Sequence, residues 1–386
     1  MGKGKIHGKA VLRPYADSDW DLVRDFIASK WGVAHPMTER RLFDWQFSGF
    51  GPSRKLARPI LLFMEGELAG FRGIIPGLYQ VPFEKGMRIL SGGSLAMWML
   101  RKEFRGQGLG HLMHAEAERM CPVLSGAGSN PETSVPIYLK NGFQFLEAMN
   151  RYLAVLDVRA CRERFGDQAT VIPPVPAGAG VSLGPSKTDP ASLAETWEGS
   201  AFAAGFFSLY RNEEFWKWRI LESPGFRYET FVDPEGAGFA VARIEPLFSG
   251  KESAIPGSCV LRIIDLVPSS ASTWSGSEDG AFARFLVSCL EWAREAAGCI
   301  AADFHCASGV FGPMLNRAGF ARERDFTLGG VPPLPRLFNG SPGAGRPINA
   351  LFKAPGVCSF EKVYMVKSDN DMDRPRRLDT NGQVLY

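Results

Sequence analysis

One set of landmarks occurs twice in this 386-residue chain, in the same order and at nearly the same spacing. Trp45 with Phe50-Gly51-Pro52 is matched by Trp216 and Trp218 with Ser223-Pro224-Gly225, and Asn141-Gly142-Phe143 is matched by Ala318-Gly319-Phe320. Trp45 to Gly142 is 97 positions and Trp216 to Gly319 is 103. Between these marks each half carries a hairpin pattern, turning at Glu65-Gly66 or at Pro234-Glu235-Gly236. Each then has a strand pattern (94–100; 260–267) and an amphipathic helix. Agreement across several landmarks predicts two tandem copies of one unit rather than two unrelated domains.

In the first half, residues 11–15 predict an opening strand. Asp17 or Ser18 can cap a helix whose Leu22, Val23, Phe26 and Ile27 form one apolar stripe. Apolar runs at 59–64 and 68–74 form the hairpin. The strand over 94–100 leads into a glycine-rich turn and a helix with Leu109, Leu112, Met113, Ala117, Met120 and Cys121 on one face. A short strand from Pro122, a helix over 130–140 and a returning strand over 142–146 follow. This order predicts an α/β class, a mixed sheet with helices on its faces. The chain divides into a first lobe over 1–157, a linker over 158–190, a second lobe over 191–330 and a C-terminal extension over 331–386. The linker's stretch 172–188 is rich in Pro, Gly and Ala. In the extension, 360–366 is the strand candidate, expected to dock on the second lobe, and the final residues are expected to be mobile.

Composition excludes several functions. A formal net charge of +3, from 44 Lys and Arg against 41 Asp and Glu, gives no electrostatic footprint for a nucleic acid, and Lys3, Lys5 and Lys9 are too few to form a binding arm. The seven cysteines form no CxxC pair, which argues against a metal site or a disulfide framework and for a reducing, cytoplasmic setting. No apolar run is long enough to span a bilayer and no apolar leader opens the chain, so no membrane partner is expected.

The chemistry-bearing stretch is Arg105-Gly106-Gln107-Gly108-Leu109-Gly110, an Arg-x-x-Gly-x-Gly between a strand and a helix. Glycines let the backbone turn tightly and meet a ligand with no Cβ between them. The N–H groups at the start of a helix have no partner within it, and the helix dipole adds partial positive charge. Such a loop suits a pyrophosphate. Its spacing differs from the dinucleotide fingerprint, and it lacks the Lys-Ser/Thr ending of a P-loop.

The segment from Leu100 to Gly110, followed by Asn130 and by Tyr138-Leu139-Lys140-Asn141-Gly142-Phe143, resembles the two central motifs of the GCN5-related N-acetyltransferase superfamily. The opening strand with Asp19 resembles that superfamily's start. The resemblance covers 11–157, and it extends to the second half by fold order alone. It implies tandem acyl-CoA N-acyltransferase lobes that use acetyl-CoA, or another acyl-CoA, and no metal. Backbone amides from Arg105, Gly106, Gln107, Gly108, Leu109 and Gly110 would hold the pyrophosphate. Leu100 would lie at the cleft where its strand parts from the one near 123–125, and Asn130 would touch the pantetheine arm. Tyr138 would be the general acid, giving a proton to the departing thiolate. The base stays open among His111, His114, Glu103 and Glu132.

The second half departs where chemistry is concentrated. Val267-Pro268-Ser269-Ser270-Ala271-Ser272-Thr273 replaces the glycine loop, and Leu315 stands four residues before Gly319 where Tyr138 stands before Gly142. This lobe is expected to have lost cofactor binding and to wall the acceptor cleft. Asp303, His305 and Cys306 read as a satisfied strand end, and the aromatics 206–218 read as core. The sequence thus points to an enzyme that acylates a primary amine on a small metabolite or amino sugar. A non-catalytic acyl-CoA sensor or scaffold is one alternative. A protein N-acetyltransferase or a peptidyltransferase using aminoacyl-tRNA is the other.

Overall fold

The computed structural model describes residues 10–55, 57–165, 172, 174–176, 183–248, 254–270, 280–327, 347–373, 377–378 and 384–385. The basic start, much of the 158–190 linker, the loop 271–279 and the Pro-Gly stretch 331–346 lie outside them. The first half runs β1 (Ala10–Pro14), α1 (Trp20–Trp31), α2 (Arg40–Ser48), β2 (Ile60–Met64), β3 (Glu67–Phe83) and β4 (Gly86–Leu100). It continues with α3 (Leu109–Met120), β5 (Val123–Ala127), α4 (Val135–Lys140) and β6 (Gln144–Leu146). The later strands are β7 (Asn150–Val155), β8 (Ser208–Leu209), β9 (Glu229–Val232), β10 (Gly238–Phe248), β11 (Ala254–Pro268), β12 (Cys299–Cys306), β13 (Ala321–Arg322) and β14 (Ala350–Lys353). They form two mixed sheets. One has the order β1-β2-β3-β4-β5-β14-β6 with β8 added on β3, and the other has β13-β7-β12-β11-β10-β9. The mixed α/β class with two sheet-built lobes is as expected.

Local physics accounts for the differences in detail. Residues 17–19 form a single 3-10 turn before α1, in which Asp19 accepts the Ala16 N–H (2.8 Å) and pairs with Arg13 (2.6 Å). Val23, Phe26 and Ile27 are buried, while Leu22, at the edge of the apolar stripe, stays exposed. α2 is an added element, started by Glu39, whose carboxylate accepts the N–H groups of Arg41 and Leu42. The β3–β4 hairpin is far longer than the runs at 68–74 and 94–100. Pro76, Pro82 and the Gly92-Gly93 pair all sit inside these strands. β2 ends opposite Arg72, so Pro76 falls on an edge where no ladder donor is needed. Gly92 is required because a Cβ there would lie 2.6 Å from the Val123 carbonyl oxygen and 2.7 Å from the Tyr79 ring.

The two halves exchange strands. β7, which follows β6 and ends the first half, pairs with β12 and β13 in the second sheet (Leu153↔Asp303, Leu153↔Ala321). β14, from the far end of the chain, inserts between β5 and β6 in the first sheet (Leu351↔Gly126, Leu351↔Phe145). The extension therefore completes the first sheet through β14, while residues 360–366 dock on the second lobe as expected. Its candidate strand 360–366 forms no ladder and makes single bridges to Phe207 and Cys306. Val363–Asn370 and Asp373 are buried, and most of the final residues, which were expected to be mobile, lie outside the described residues. The reason is partnership, since β5 and β6 need a strand between them, and residues 363–373 carry two carboxylates, Asp369 and Asp373, that meet arginines.

The lobes also meet through a pair of tryptophans. Trp45 and Trp218 stack with ring centres 5.0 Å apart, and each indole N–H donates to the other's carbonyl oxygen, at 2.9 and 3.0 Å. One apolar cluster runs continuously from Tyr15 and Phe43 through Trp197 and Trp216 to Val366. A fragment ending at residue 157 would leave β5 and β6 without β14, strand β7 without its sheet, and half of this core uncovered. It should show no cooperative thermal transition by near-ultraviolet circular dichroism, whereas the full chain should.

Candidate active site

The site begins where two strands part. β4 and β5 run parallel, in register from Gly92↔Val123 to Leu95↔Gly126. β5 then stops at Ala127, while β4 continues to Leu100 with β3 on its other side. The β3–β4 register slips by one between Arg72↔Trp98 and Gly73↔Ala96, which makes Met97 a bulge. Met97 has φ 44°, in the left-handed region, at a cost of roughly 1–2 kcal/mol for a residue with a Cβ. Ala96, Met97 and Trp98 line a cavity of about 1040 Å³ in the opening between the strands.

The glycine loop forms part of that cavity. Gly106 and Gly108 have φ of 79° and 81°, and a Cβ at either would project into open space. Gly108 caps α3, whose first internal bond runs from the Leu112 N–H to the Gly108 carbonyl (3.2 Å). The N–H groups of Leu109, Gly110 and His111 precede it and have no place in the helical ladder. The loop therefore offers main-chain donors at a helix start with no side chain in front of them, which fits a pyrophosphate.

Of the residues singled out from sequence, Leu100, Arg105, Gly106, Gly108, Gly110, Asn130 and Tyr138 line this one cavity. Two point elsewhere. The Leu109 side chain is buried with Leu62, Met64, Ala69 and Met113, which ties the loop to the core, and the Gln107 amide donates to the Glu103 carbonyl (3.0 Å). Only their main chain is available to a ligand. The Asn130 Oδ1 accepts the N–H groups of Glu132 and Thr133 (2.9 and 3.1 Å), so this side chain caps the turn before α4. Among the base candidates His111 lines the cavity, whereas His114, Glu103 and Glu132 do not.

Tyr138 is almost fully buried, and its ring packs among Trp98, His114 and Phe143 at centroid distances of 5.7, 5.2 and 5.1 Å. Its hydroxyl oxygen accepts a short hydrogen bond from the Arg72 guanidinium, which leaves the phenol's own proton to give. Arg72 was not anticipated. It is 2 % exposed, lies over the Trp98 ring at 4.4 Å, and has no carboxylate within ion-pairing distance among the described residues. The signal was present in the sequence as a lone arginine inside the apolar run 68–74, but only the β3–β4 register brings it to Tyr138. His114 stacks beside the same group. Burial, and next the Arg72 charge, push its pKa down to about 3, so its ring is neutral across the physiological range.

The second sheet repeats this geometry without the chemistry. β11 and β12 are parallel from Cys259↔Cys299 to Ile263↔Phe304, and β11 then runs on to Pro268. The slip between Val241↔Asp265 and Ala242↔Ile263 makes Ile264 the counterpart of Met97, but Ile264 does not share its left-handed φ. By that register Val241 replaces Arg72, and Leu315 in the helix Gly312–Arg317 replaces Tyr138. The opening is filled by the tail. Tyr364 hydroxyl donates to the Leu266 carbonyl (2.8 Å), and the Ala307 N–H donates to the Met365 carbonyl (2.9 Å). Asp303 is buried in ion pairs with Arg262 and Arg151, and His305 and Cys306 are buried on the same strand.

No family model and no curated protein matches the chain. Among solved structures it is similar to a GCN5-related N-acetyltransferase from Anabaena variabilis ATCC 29413, with a TM-score of 0.53 at 12 % identity over 91 % of this chain and 74 % of that one. It is also similar to a conserved protein from Enterococcus faecalis V583 described as a probable N-acyltransferase, with a TM-score of 0.51 at 10 % identity over 92 % and 74 %. The fold resembles tandem GCN5-related N-acetyltransferase lobes. No described helix is long and apolar enough to cross a membrane, and no metal-binding cluster occurs among the described residues.

The buried His114 makes a pH prediction. Its pKa of about 3 in the folded chain lies below the ordinary 6.5, so the unfolded chain binds the extra proton first. Its contribution is complete above pH 6.5 and is lost as pH falls from there toward 3. Denaturant unfolding of His114→Phe at a series of pH values should show a shallower loss of stability in that window, by up to about one proton.

Proposed function

We propose that this chain is an acyl-CoA-dependent N-acyltransferase, using acetyl-CoA or a close relative, whose acceptor is the primary amine of a small molecule. The observation that carries the reading is the convergence of the open glycine loop, the strained bulge at Met97 and the phenol of Tyr138 on one cavity where β4 and β5 part. Main-chain donors from Arg105 to Gly110 bind the pyrophosphate, with Arg105 adding charge, and the gap beside Ala96–Trp98 accepts the pantetheine arm against an exposed strand edge. The amine nitrogen forms a bond to the thioester carbonyl carbon and the carbon–sulfur bond breaks. The thiolate takes the proton of Tyr138, and the proton lost by the amine restores the phenol through water, giving an amide and free CoA. Arg72, donating to the Tyr138 oxygen, orients the phenol and steadies the charge left on it. The second lobe, its opening plugged by the tail, holds no cofactor and serves as a wall and clamp for the first. The 1–157 and 191–330 halves are, on this reading, copies of one ancestral unit that have traded their closing strands.

Release of free thiol from acetyl-CoA with a panel of amines tests the activity. Tyr138→Phe should lower kcat by about a hundredfold or more while CoA affinity holds. Gly108→Glu should abolish CoA binding in a titration, because the carboxylate enters the space reserved for the diphosphate. Arg72→Met should slow turnover without lowering the melting temperature, since it removes a buried charge that no carboxylate among the described residues offsets. Turnover unaffected by Tyr138→Phe removes that residue from the mechanism. Tight CoA binding with no turnover on any amine makes the chain an acyl-CoA-binding protein instead.

A further inference from the structure

The proposed cavity has walls that the glycine loop and the β4–β5 pair do not supply. Trp31 at the end of α1, Ile348 just before β14, and Asp371 with Met372 from the tail also line it. Three of these are apolar. The fourth is the only carboxylate among the described lining residues, in a cavity whose other ionic side chains are Arg72 and Arg105.

Asp371 is held there from both sides. Two residues before it, buried Asp369 pairs with Arg211 (2.7 Å), which is itself buried and paired with Asp265 (3.0 Å). Two residues after it, buried Asp373 accepts from Arg243 (2.9 Å) and from the Tyr228 hydroxyl (2.8 Å), while Arg219 donates to its carbonyl (3.1 Å). Ion pairs of this kind gain little net stability over apolar packing, because both charges must be desolvated, but they admit few alternative arrangements. Every one of these partners belongs to the second half of the chain. Asp369 and Asp373 thus anchor this turn to the second lobe, and Asp371 between them lines the first lobe's cavity. At neutral pH a primary amine arrives as an ammonium ion, with a pKa near ~10. A fixed carboxylate binds it by charge-assisted hydrogen bonds, and the ammonium gives one proton to solvent, which frees the nitrogen lone pair for attack.

We propose that Asp371 is the acceptor-amine ligand of this chain, and that the acceptor is a primary ammonium compound with an aliphatic or aromatic body seated against Trp31, Ile348 and Met372. The inference rests on the transferase reading for the reaction, though not for the binding. It gives the second lobe a task in substrate recognition, through the tail that it clamps, and it favours an apolar amine over a polyhydroxylated amino sugar.

The test uses the full chain with acetyl-CoA and three probes: 2-phenylethylamine, hexylamine and glucosamine. The two apolar amines should turn over with lower KM than glucosamine. Asp371→Asn should raise their KM by about tenfold or more, with a smaller change in kcat, an unchanged melting temperature and unchanged CoA affinity. Met372→Ala should raise KM for the apolar amines more than for glucosamine. Wild-type KM in Asp371→Asn overturns the assignment, and preference for glucosamine overturns the apolar body. Calorimetric titration of 2-phenylethylammonium, with and without CoA, separates this inference from the reaction. Binding lost in Asp371→Asn supports the carboxylate even if no thiol is released, and absence of binding to the wild-type chain overturns it. Failure of acetyl-CoA to bind sinks the transferase reading alone.

Discussion

The structure depends on a demand for backbone partners that neither half can meet alone. β5 must keep its parallel pairing with β4 at one end and part from it at the other, and its far edge would then present unpaired N–H and C=O groups. β14 covers that edge from more than 220 positions away, and it holds β6 as well. In return, β7 fills the same place in the second sheet, between β12 and β13. The exchange makes each sheet a product of both halves, and the shared apolar cluster and the reciprocal Trp45–Trp218 pair follow from it.

That constraint also shapes the site. Asn349, one residue before β14, exchanges two hydrogen bonds with Ser129, both at 2.8 Å, and its carbonyl accepts the Gly128 N–H (2.9 Å). The strand that closes the sheet therefore fixes one rim of the cavity. From β14 the chain crosses to the second lobe, fills the opening there with Tyr364, Met365 and Val366, and returns through Asp369 and Asp373 to place Asp371 and Met372 at the first opening. A single architectural device, two parallel strands that part, is used once as a cavity and once as a socket for the tail. The difference lies in a few side chains. Val241 and Leu315 in place of Arg72 and Tyr138 make the second opening suitable for packing, and the buried Asp265 there anchors the tail through Arg211 and Ser368.

The buried arginines divide by role. Arg211, Arg219, Arg243 and Arg262 lie near carboxylates and build a network that ties β10, β11 and β12 to the tail. Arg72 instead meets aromatic faces and a phenol oxygen. A charge buried against neutral groups is costly unless something in its surroundings answers it. Its position beside Tyr138 and the bulged strand gives it developing negative charge to answer during the proposed transfer.

Much was legible in the sequence because it is written in local terms. Turn chemistry at Glu65-Gly66, helical periodicity over 109–121 and the Arg-x-x-Gly-x-Gly loop need only near neighbours, and so does the equivalence of Tyr138 and Leu315 before their glycines. Those patterns sufficed for the mixed α/β class, the two lobes and the glycine loop. Tertiary structure alone decided what depends on partners distant in sequence. Pro76 and Gly92 sit inside strands because of an edge and a close approach that only the tertiary structure supplies. Strand 350–353 is a four-residue run that could pair with many edges, and only the gap between β5 and β6 selects it. Arg72 reaches Tyr138, and Asp371 reaches the cavity, through register and ion pairing across 66 and more than 100 positions. Periodicity records which face of an element is buried, but carries no information on what buries it, and the partner is what made these residues a site.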